Sequence, residues 1–350
     1  MKLASGDRVL VTGASGFIGS AVTRQLVARE QEVIALVEPG ADTTNLEGLE
    51  VKQVVGDLRS LDSVQSAING CRAAFHVAAL YRFWARDPEA FYAINVDGTR
   101  NVLGAAAEAG VERLVYTSTV GTLGLEHVSG SRSADERSFP DVRHLYGSYK
   151  RSKYVAEHEV LRAIAEGLPA SIVLPTFPVG PGDRAPTPTG KLVLDFLNGR
   201  MPAYVDTVLN VAHVDDLAAG QVLALEKGRT GRSYILGGEN MTLEQVLAEL
   251  AALTGLPAPY GKVPNALALA VAAVSELVEG RLLRRHPSVP LEAARMSTSR
   301  MSFDTTRARE ELGYAPRPAV EALEASARWF VETGMVRESR ASRIRWSSGH

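Results

Sequence analysis

Between two short apolar runs, residues 8–12 and 32–37, the chain reads Thr12-Gly13-Ala14-Ser15-Gly16-Phe17-Ile18-Gly19 and then a helical pattern over 16–29. Glycines at 13, 16 and 19 between a strand and a helix, with a second strand close behind, leave few folds open. The first glycine permits a turn that side chains forbid. The second lets a pyrophosphate reach bare N–H groups at a helix N-terminus, and the third lets the helix lie close on the sheet. The motif predicts a doubly wound parallel α/β sheet that holds a dinucleotide, with Gly13, Ser15, Gly16, Phe17, Ile18 and Gly19 in its cradle.

The next 150 residues keep that rhythm. Strands are expected at 51–55, 73–77 and 113–117, a helix near 61–69 and a long helix over 88–109. Short apolar strands separated by helices mark a parallel sheet covered on both faces. After a strand at 171–174 the pattern breaks: residues 175–190 hold five of the 17 prolines and three glycines, and read as a long loop. Beyond it we expect a helix from 191, a strand near 209–213, a helix from 214 and a strand at 233–236. Thr242 with Gln245 is a capping box opening a helix to about 254, and Gly313 ends a helix over 304–312. The chain thus divides into a Rossmann domain over 1–174, a smaller α+β substrate region over 175–333 partly interleaved with it, and a frayed tail over 334–350. A basic recognition arm is the alternative for the tail.

Composition removes several classes of function. With 38 basic against 40 acidic residues the net charge is −2, so no bulk charge draws the chain onto nucleic acid or anionic lipid. The single cysteine, Cys71, reads as a small buried hydrophobe in a reducing, cytoplasmic setting. The longest uninterrupted apolar stretch, 266–274, is about half of what spans a bilayer. A buried helix is expected there, with surface association as the alternative. The histidines never fall at ligand spacing with cysteines or carboxylates, so no metal is expected.

Tyr149 and Lys153 stand four apart on one helical face, which continues through Ala156, Val160 and Ile164 and is therefore turned inward. The rival pair Tyr146 and Lys150 shares a mostly polar face. A phenol with an ordinary pKa near 10 exchanges protons poorly at neutral pH, and a fixed ammonium close by would favour its ionised form. Such a pair beside a nicotinamide can pass a proton to or from an alcohol or carbonyl oxygen. Thr119, at the end of the fifth strand, would aim a hydroxyl at the same oxygen; Ser118 competes, because adjacent strand residues face opposite ways. Glu38 ends the second strand where an adenosine ribose would lie, and a carboxylate there repels a 2′-phosphate. NAD(H) is therefore expected over NADP(H), although Arg59 nearby leaves NADP(H) open. Asp57 is a candidate for the adenine amine, or an N-cap for the helix after it.

These motifs together resemble the extended short-chain dehydrogenase/reductase superfamily over about residues 7–333. Gly56-Asp57-Leu58, His76-Val77-Ala78-Ala79, Asn95-Val96-Asp97-Gly98-Thr99 and His213-Val214-Asp215-Asp216 recur in the family's order with the glycine motif and the Tyr149/Lys153 pair. The chain is most similar to its dihydroflavonol-reductase and 3β-hydroxysteroid-dehydrogenase branch and to bacterial proteins called hopanoid-associated sugar epimerases. The resemblance implies that Asp57 and Leu58 hold the adenine, and that Ala78, Ala79 and Thr117 lie beside the cofactor. It implies that Lys153 grips the nicotinamide ribose and that Tyr149 is the acid/base with Thr119 as its partner. Pro175, Phe177 and Pro178 would pass near the nicotinamide. It also implies a homodimer through the helices after 88 and around 149. Relatives often carry Arg where Glu38 stands and Ser where Thr119 stands.

Tyr81-Arg82-Phe83-Trp84 follows the fourth strand on the edge where doubly wound sheets bind ligands. These residues suggest an apolar or aromatic small-molecule substrate, with Arg82 available for a carbonyl or acid. Phe83 and Trp84 packing on the smaller region is the alternative. Segments 186–191 and 204–210 would form the opposing wall. The expected reaction is reversible reduction of a ketone or aldehyde; the alternative is a nucleotide-sugar epimerase or dehydratase with tightly bound NAD.

Overall fold

Seven parallel strands form the main sheet of the computed structural model, which describes residues 1–125, 132–283, 285–297 and 299–347. The strands run β1 (Arg8–Thr12), β2 (Glu32–Val37), β3 (Val51–Val55), β4 (Ala73–His76), β5 (Arg113–Thr117) and β6 (Ala170–Pro175). They continue with β7 (Phe177–Val179), β8 (Ala203–Val205), β9 (Val208–His213), β10 (Ser233–Leu236), β11 (Glu239–Thr242) and β12 (Gly261–Val263). The main sheet has the order β3-β2-β1-β4-β5-β6-β10. The direction of growth reverses between β1 and β4, and there the carboxyl ends of the strands part to leave a crevice.

Alternation along the strands builds two cores. Val9 and Val11 of β1 face α1 (Phe17–Val27), while Leu10 faces α2 (Leu61–Ile68) and the helices after β4. Those helices begin with α3 (Glu89–Tyr92) and end with α4 (Gly98–Glu108). The expected long helix over 88–109 is interrupted between them by a π-helical stretch, Ala93–Asp97. On the same side α5 (Ser148–Ala165) buries Tyr149, Lys153, Ala156 and Val160. Burying one such aliphatic side chain is worth ~1.5–3 kcal/mol, so a strand apolar on both faces is pinned from both sides.

The chain beyond 175 builds a second core and also returns to the first. Helix α6 (Pro188–Leu197) starts three residues before the expected 191, because Thr187 caps it and Pro188 suits its first turn. Helix α7 (Val214–Lys227) packs beside α1, and β10 takes the sheet edge next to β6. Strands β7, β9 and β11 form a small sheet against α6, α8 (Leu243–Thr254) and α11 (Ala319–Glu332). The capping box at Thr242 and Gln245 opens α8 as expected, and Gly313 closes a π stretch with φ +72°.

Two expectations fail. Residues 334–347 do not fray. Arg337 and Arg340 donate to the Asn198 and Leu197 carbonyls at the end of α6, and Ile344 is buried. Cations satisfying orphan carbonyls at a helix C-terminus dock this segment, which forms α12 at Glu338–Ala341. Residues 348–350 of the expected tail lie outside the described residues. The stretch 266–274 is helical within α9 (Asn265–Ser275), but only Ala272 of that helix is buried. Cys71 is buried as expected, and burial pushes its thiol up to about 11.

Candidate active site

At the end of β1 the backbone makes contacts that no side chain would allow. Gly13 has φ +66°, and a Cβ there would sit 2.8 Å from Ala78 Cα; a Cβ on Gly19 would sit 2.0 Å from the Gly13 carbonyl oxygen. Helix α1 therefore lies hard against β1 and the end of β4. Its N-cap, Gly16, supplies no side-chain bond, which leaves the first-turn N–H groups facing the crevice. A cavity of about 230 Å³ runs from Gly13, Gly16, Phe17, Ile18 and Gly19 past Ala78, Ala79 and Thr117 to Tyr149, Lys153, Pro175 and Pro178. A second, of about 220 Å³, shares Gly13, Gly16, Ala78 and Ala79 and extends to Ser15, Glu38, Asp57 and Leu58. This bare-backbone cradle with a trough on both sides fits a dinucleotide, whose nicotinamide, when bound, exchanges a hydride.

Glu38 is exposed at the rim of the second cavity. Asp57 does not cap α2, which Ser60 does. Instead Asp57 grips Arg59 through both carboxylate oxygens, and the guanidinium holds its carboxyl below the usual range.

The polar side chains around the crevice form a connected chain. The Ala78 N–H donates to Thr12 Oγ1, which lies 2.8 Å from His76 Nδ1; His76 Nε2 lies 2.9 Å from Thr99 Oγ1, which donates to the Asn95 carbonyl. With the Thr99 proton committed, the network assigns the His76 proton to Nε2. Burial pushes this imidazole down to about 3, so it stays neutral. Asn95 sits in the π stretch, a geometry that re-aims side chains at functional sites. Its Nδ2 donates to Ser152 Oγ, which donates to the Tyr149 carbonyl. The glycine strand and the tyrosine helix are tied by directional bonds throughout.

Tyr149 and Thr119 meet at a hydroxyl–hydroxyl contact, and the Tyr81 ring lies 4.8 Å from that of Tyr149. Ser118 faces the other way and donates to half-buried Glu157, as does Thr122. Tyr146 is exposed, with Arg295 over its ring. Lys153 differs from expectation. Its ammonium donates to Tyr116 Oη at 2.8 Å and to the Thr117 carbonyl at 2.7 Å, and burial pulls it down to about 7. Burial, opposed by the Thr119 hydrogen bond, pushes the Tyr149 hydroxyl above its ordinary value. Protein groups alone thus keep this phenol protonated rather than acidic.

Beyond the two hydroxyls lies an apolar cavity of about 190 Å³, lined by Phe83, Leu192, Leu209, Met296, Met301 and Phe303. Tyr81, Thr119, Tyr149 and Thr176 line both this cavity and the glycine-lined one. Four expected residues depart from the positions foreseen for them. Phe177 lines the apolar cavity and not the glycine-lined one, because β7 alternates its side chains. Thr117 borders the glycine-lined cavity but turns its hydroxyl away, to Gln221. Arg82 is exposed and lines neither cavity. Trp84 packs its edge on His286 at the side of the smaller region.

Sequence reading missed Glu292, at the start of α10 (Leu291–Ser297). Gly147, the N-cap of α5, has φ +84° and offers no side chain, and the Glu292 carboxyl fills that place: a Cβ on Gly147 would lie 1.8 Å from Glu292 Oε2. The carboxyl accepts from the Lys150 amide, so it caps the tyrosine helix from a distant segment. Burial pushes it up to about 8, and Oε1 has no partner. Asn45 was missed too; its amide ties the Ser15 and Gly182 carbonyls together. Neither residue carries a local sequence signal.

The model of the NAD dependent epimerase/dehydratase family matches residues 9–237. A Synechocystis sp. protein provisionally named dihydroflavonol 4-reductase is 44% identical over 339 residues, 96% of this chain and 98% of that protein. Sterol demethylase protein B of Methylococcus capsulatus is 35% identical over 328 residues, 93% of this chain and 99% of its own. The crystal structure of gox2253 superposes with a TM-score of 0.84 at 46% identity, covering 95% of this chain and all of that one.

Proposed function

The chain belongs to the NAD dependent epimerase/dehydratase family, an NAD(P)-dependent oxidoreductase of the extended short-chain type, and from that premise we propose that it reversibly reduces a ketone or aldehyde on a largely apolar small molecule. One observation carries the reading: Tyr149 and Thr119, whose hydroxyls meet, line both the glycine-lined crevice and the apolar cavity. A carbonyl oxygen lodged there accepts a hydrogen bond from each hydroxyl, while the apolar remainder of the substrate fills the space between Leu192, Leu209 and Met296. Tyr149 hands over its proton as the oxygen gains charge. A phenol held protonated by burial supports that direction. Lys153, fixed by Tyr116 and Thr117, is the group to hold the nicotinamide ribose, and Gly13, Gly16 and Gly19 the pyrophosphate. The names of the two relatives, a dihydroflavonol 4-reductase and a sterol demethylase protein, favour an apolar substrate over a nucleotide sugar.

NADH is the preferred donor in this reading. Glu38 rims the adenosine side of the trough, and the guanidinium of Arg59 is engaged by Asp57 rather than open to a phosphate. A homodimer through α4 and α5 completes the proposal; Val155 and Leu161 of α5 are exposed apolar residues.

The test is a panel of apolar ketones and aldehydes and of nucleotide sugars, followed at 340 nm with both reduced dinucleotides. Stoichiometric consumption of NADH with an apolar carbonyl is the expected result. Conversion of a nucleotide sugar with no net change in the dinucleotide would replace this reading by an epimerase. Replacing Glu38 with Ser should narrow the preference for NADH over NADPH by about tenfold, the worth of one charge contact; equal use of both by the wild type would end the claim.

A further inference from the structure

Helix α9 and the π-helical stretch that continues it, Glu276–Leu282, are turned inside out. Exposed pairs of Ala, Val and Leu recur on every turn from Ala266–Leu267 to Leu277–Val278. Leu267 is 55% exposed, Val274 61% and Leu282 72%. The polar groups point the other way. Glu279 accepts from Ser275 Oγ at 2.8 Å and from Ser288 Oγ at 3.0 Å, and Glu276 accepts from the Leu291 N–H at 2.9 Å. A helix meant for water does the reverse. An apolar stripe this continuous, on a chain that buries its other helices well, marks a surface that something covers.

The charges around the stripe say what. Residues 264–300 contain three carboxylates, Glu276, Glu279 and Glu292, and none is exposed, whereas Arg295, Arg300 and Arg285, which also pairs with Glu279 at 3.3 Å, are. The whole chain carries −2, so this is a local asymmetry, not a bulk one. We propose that this face docks on the surface of an anionic phospholipid bilayer, the stripe lying at the acyl boundary and the arginines at the level of the headgroups. Among the described residues no helix is long and apolar enough to cross a membrane, so the segment lies on the bilayer. A second copy is the weaker occupant, because a two-fold contact would set one arginine rim against another.

The docked face borders the way to the hydroxyls. Leu269, on the inner side of α9, lines a cavity with Arg295 and Met296 that shares Gly121, Leu125 and Met296 with the apolar cavity. An apolar substrate dissolved in lipid would enter there without crossing water. That last step rests on the proposed reductase reading; the docking does not.

Co-sedimentation of the full chain with vesicles tests it, comparing three parts phosphatidylcholine to one part phosphatidylglycerol against phosphatidylcholine alone. Binding should be at least about tenfold tighter to the anionic vesicles and should weaken with salt. The variant Val271→Glu, Val274→Glu, Leu277→Glu should lose about tenfold or more while keeping its activity on a water-soluble carbonyl. Should that variant unfold, Arg285→Gln with Arg300→Gln leaves the stripe intact and must remove most of the anionic preference. A wild type that ignores both vesicle types overturns the proposal. So does a variant that binds like the wild type, and so does a dimer in light scattering that the glutamates dissolve without any lipid binding.

Discussion

The two walls of the cleft are held by different forces. On the sheet side, Thr12, His76, Thr99, Asn95 and Ser152 pass hydrogen bonds from the glycine strand to the tyrosine helix, and the glycine contacts at 13 and 19 leave no slack. On the far side, Leu192, Leu209, Met296, Met301 and Phe303 offer shape alone, and methionine adapts to whatever fills the gap. In the proposed reduction, directional bonds fix where a proton is delivered. Volume and apolarity fix what the proton is delivered to. If that division holds, changes on one wall should leave the other's work intact.

The largest effect belongs to the proton. Tyr149→Phe should lower kcat by about 10²–10⁴-fold while dinucleotide affinity stays within about twofold, read by steady-state kinetics and fluorescence titration. An unchanged kcat would break the comparison on its rigid side. Gly13→Ala forces a side chain into φ +66° and against Ala78, and should cost about 1–3 kcal/mol of stability together with dinucleotide binding. Thermal unfolding with and without dinucleotide reads both.

Glu292 joins the two walls, and its sign is fixed by burial. Its carboxyl stands at about 8 in the fold against an ordinary 4.5, so the native state keeps a proton that the unfolded chain has released. Stability should therefore fall as pH rises from about 4.5 through 8, by up to a few kcal/mol. Glu292→Gln should flatten that slope in melting curves between pH 5 and 8, and a slope equal to that of the wild type would remove Glu292 as its source. The smallest effect is expected on the adaptable wall. Met296→Ala should raise KM for an apolar carbonyl about three- to tenfold and leave KM for NADH unchanged. An equal change in both would show that the walls are coupled.

Much of the rigid wall was legible because its signals are local. The strand-to-helix glycines, the Tyr149 and Lys153 spacing, and the apolar face through Ala156 and Val160 each lie within a few turns of sequence. Lys153 shows the limit. Spacing predicted an ammonium serving the phenol, but the fold hands it to Tyr116 and the Thr117 carbonyl, partners on another strand. The tail misled for a similar reason, since its arginines are paired by carbonyls at the end of α6.

By itself the sequence determined the doubly wound sheet, its glycine cradle and which tyrosine faces inward, because backbone sterics and periodicity act between near neighbours. Only the tertiary structure decided that Glu292 caps the tyrosine helix, that Asp57 occupies Arg59, and that the helix over 265–275 turns its apolar side outward. Those outcomes depend on which distant surfaces meet. Burial and long-range pairing, unlike turn geometry, leave no mark on the residues next door.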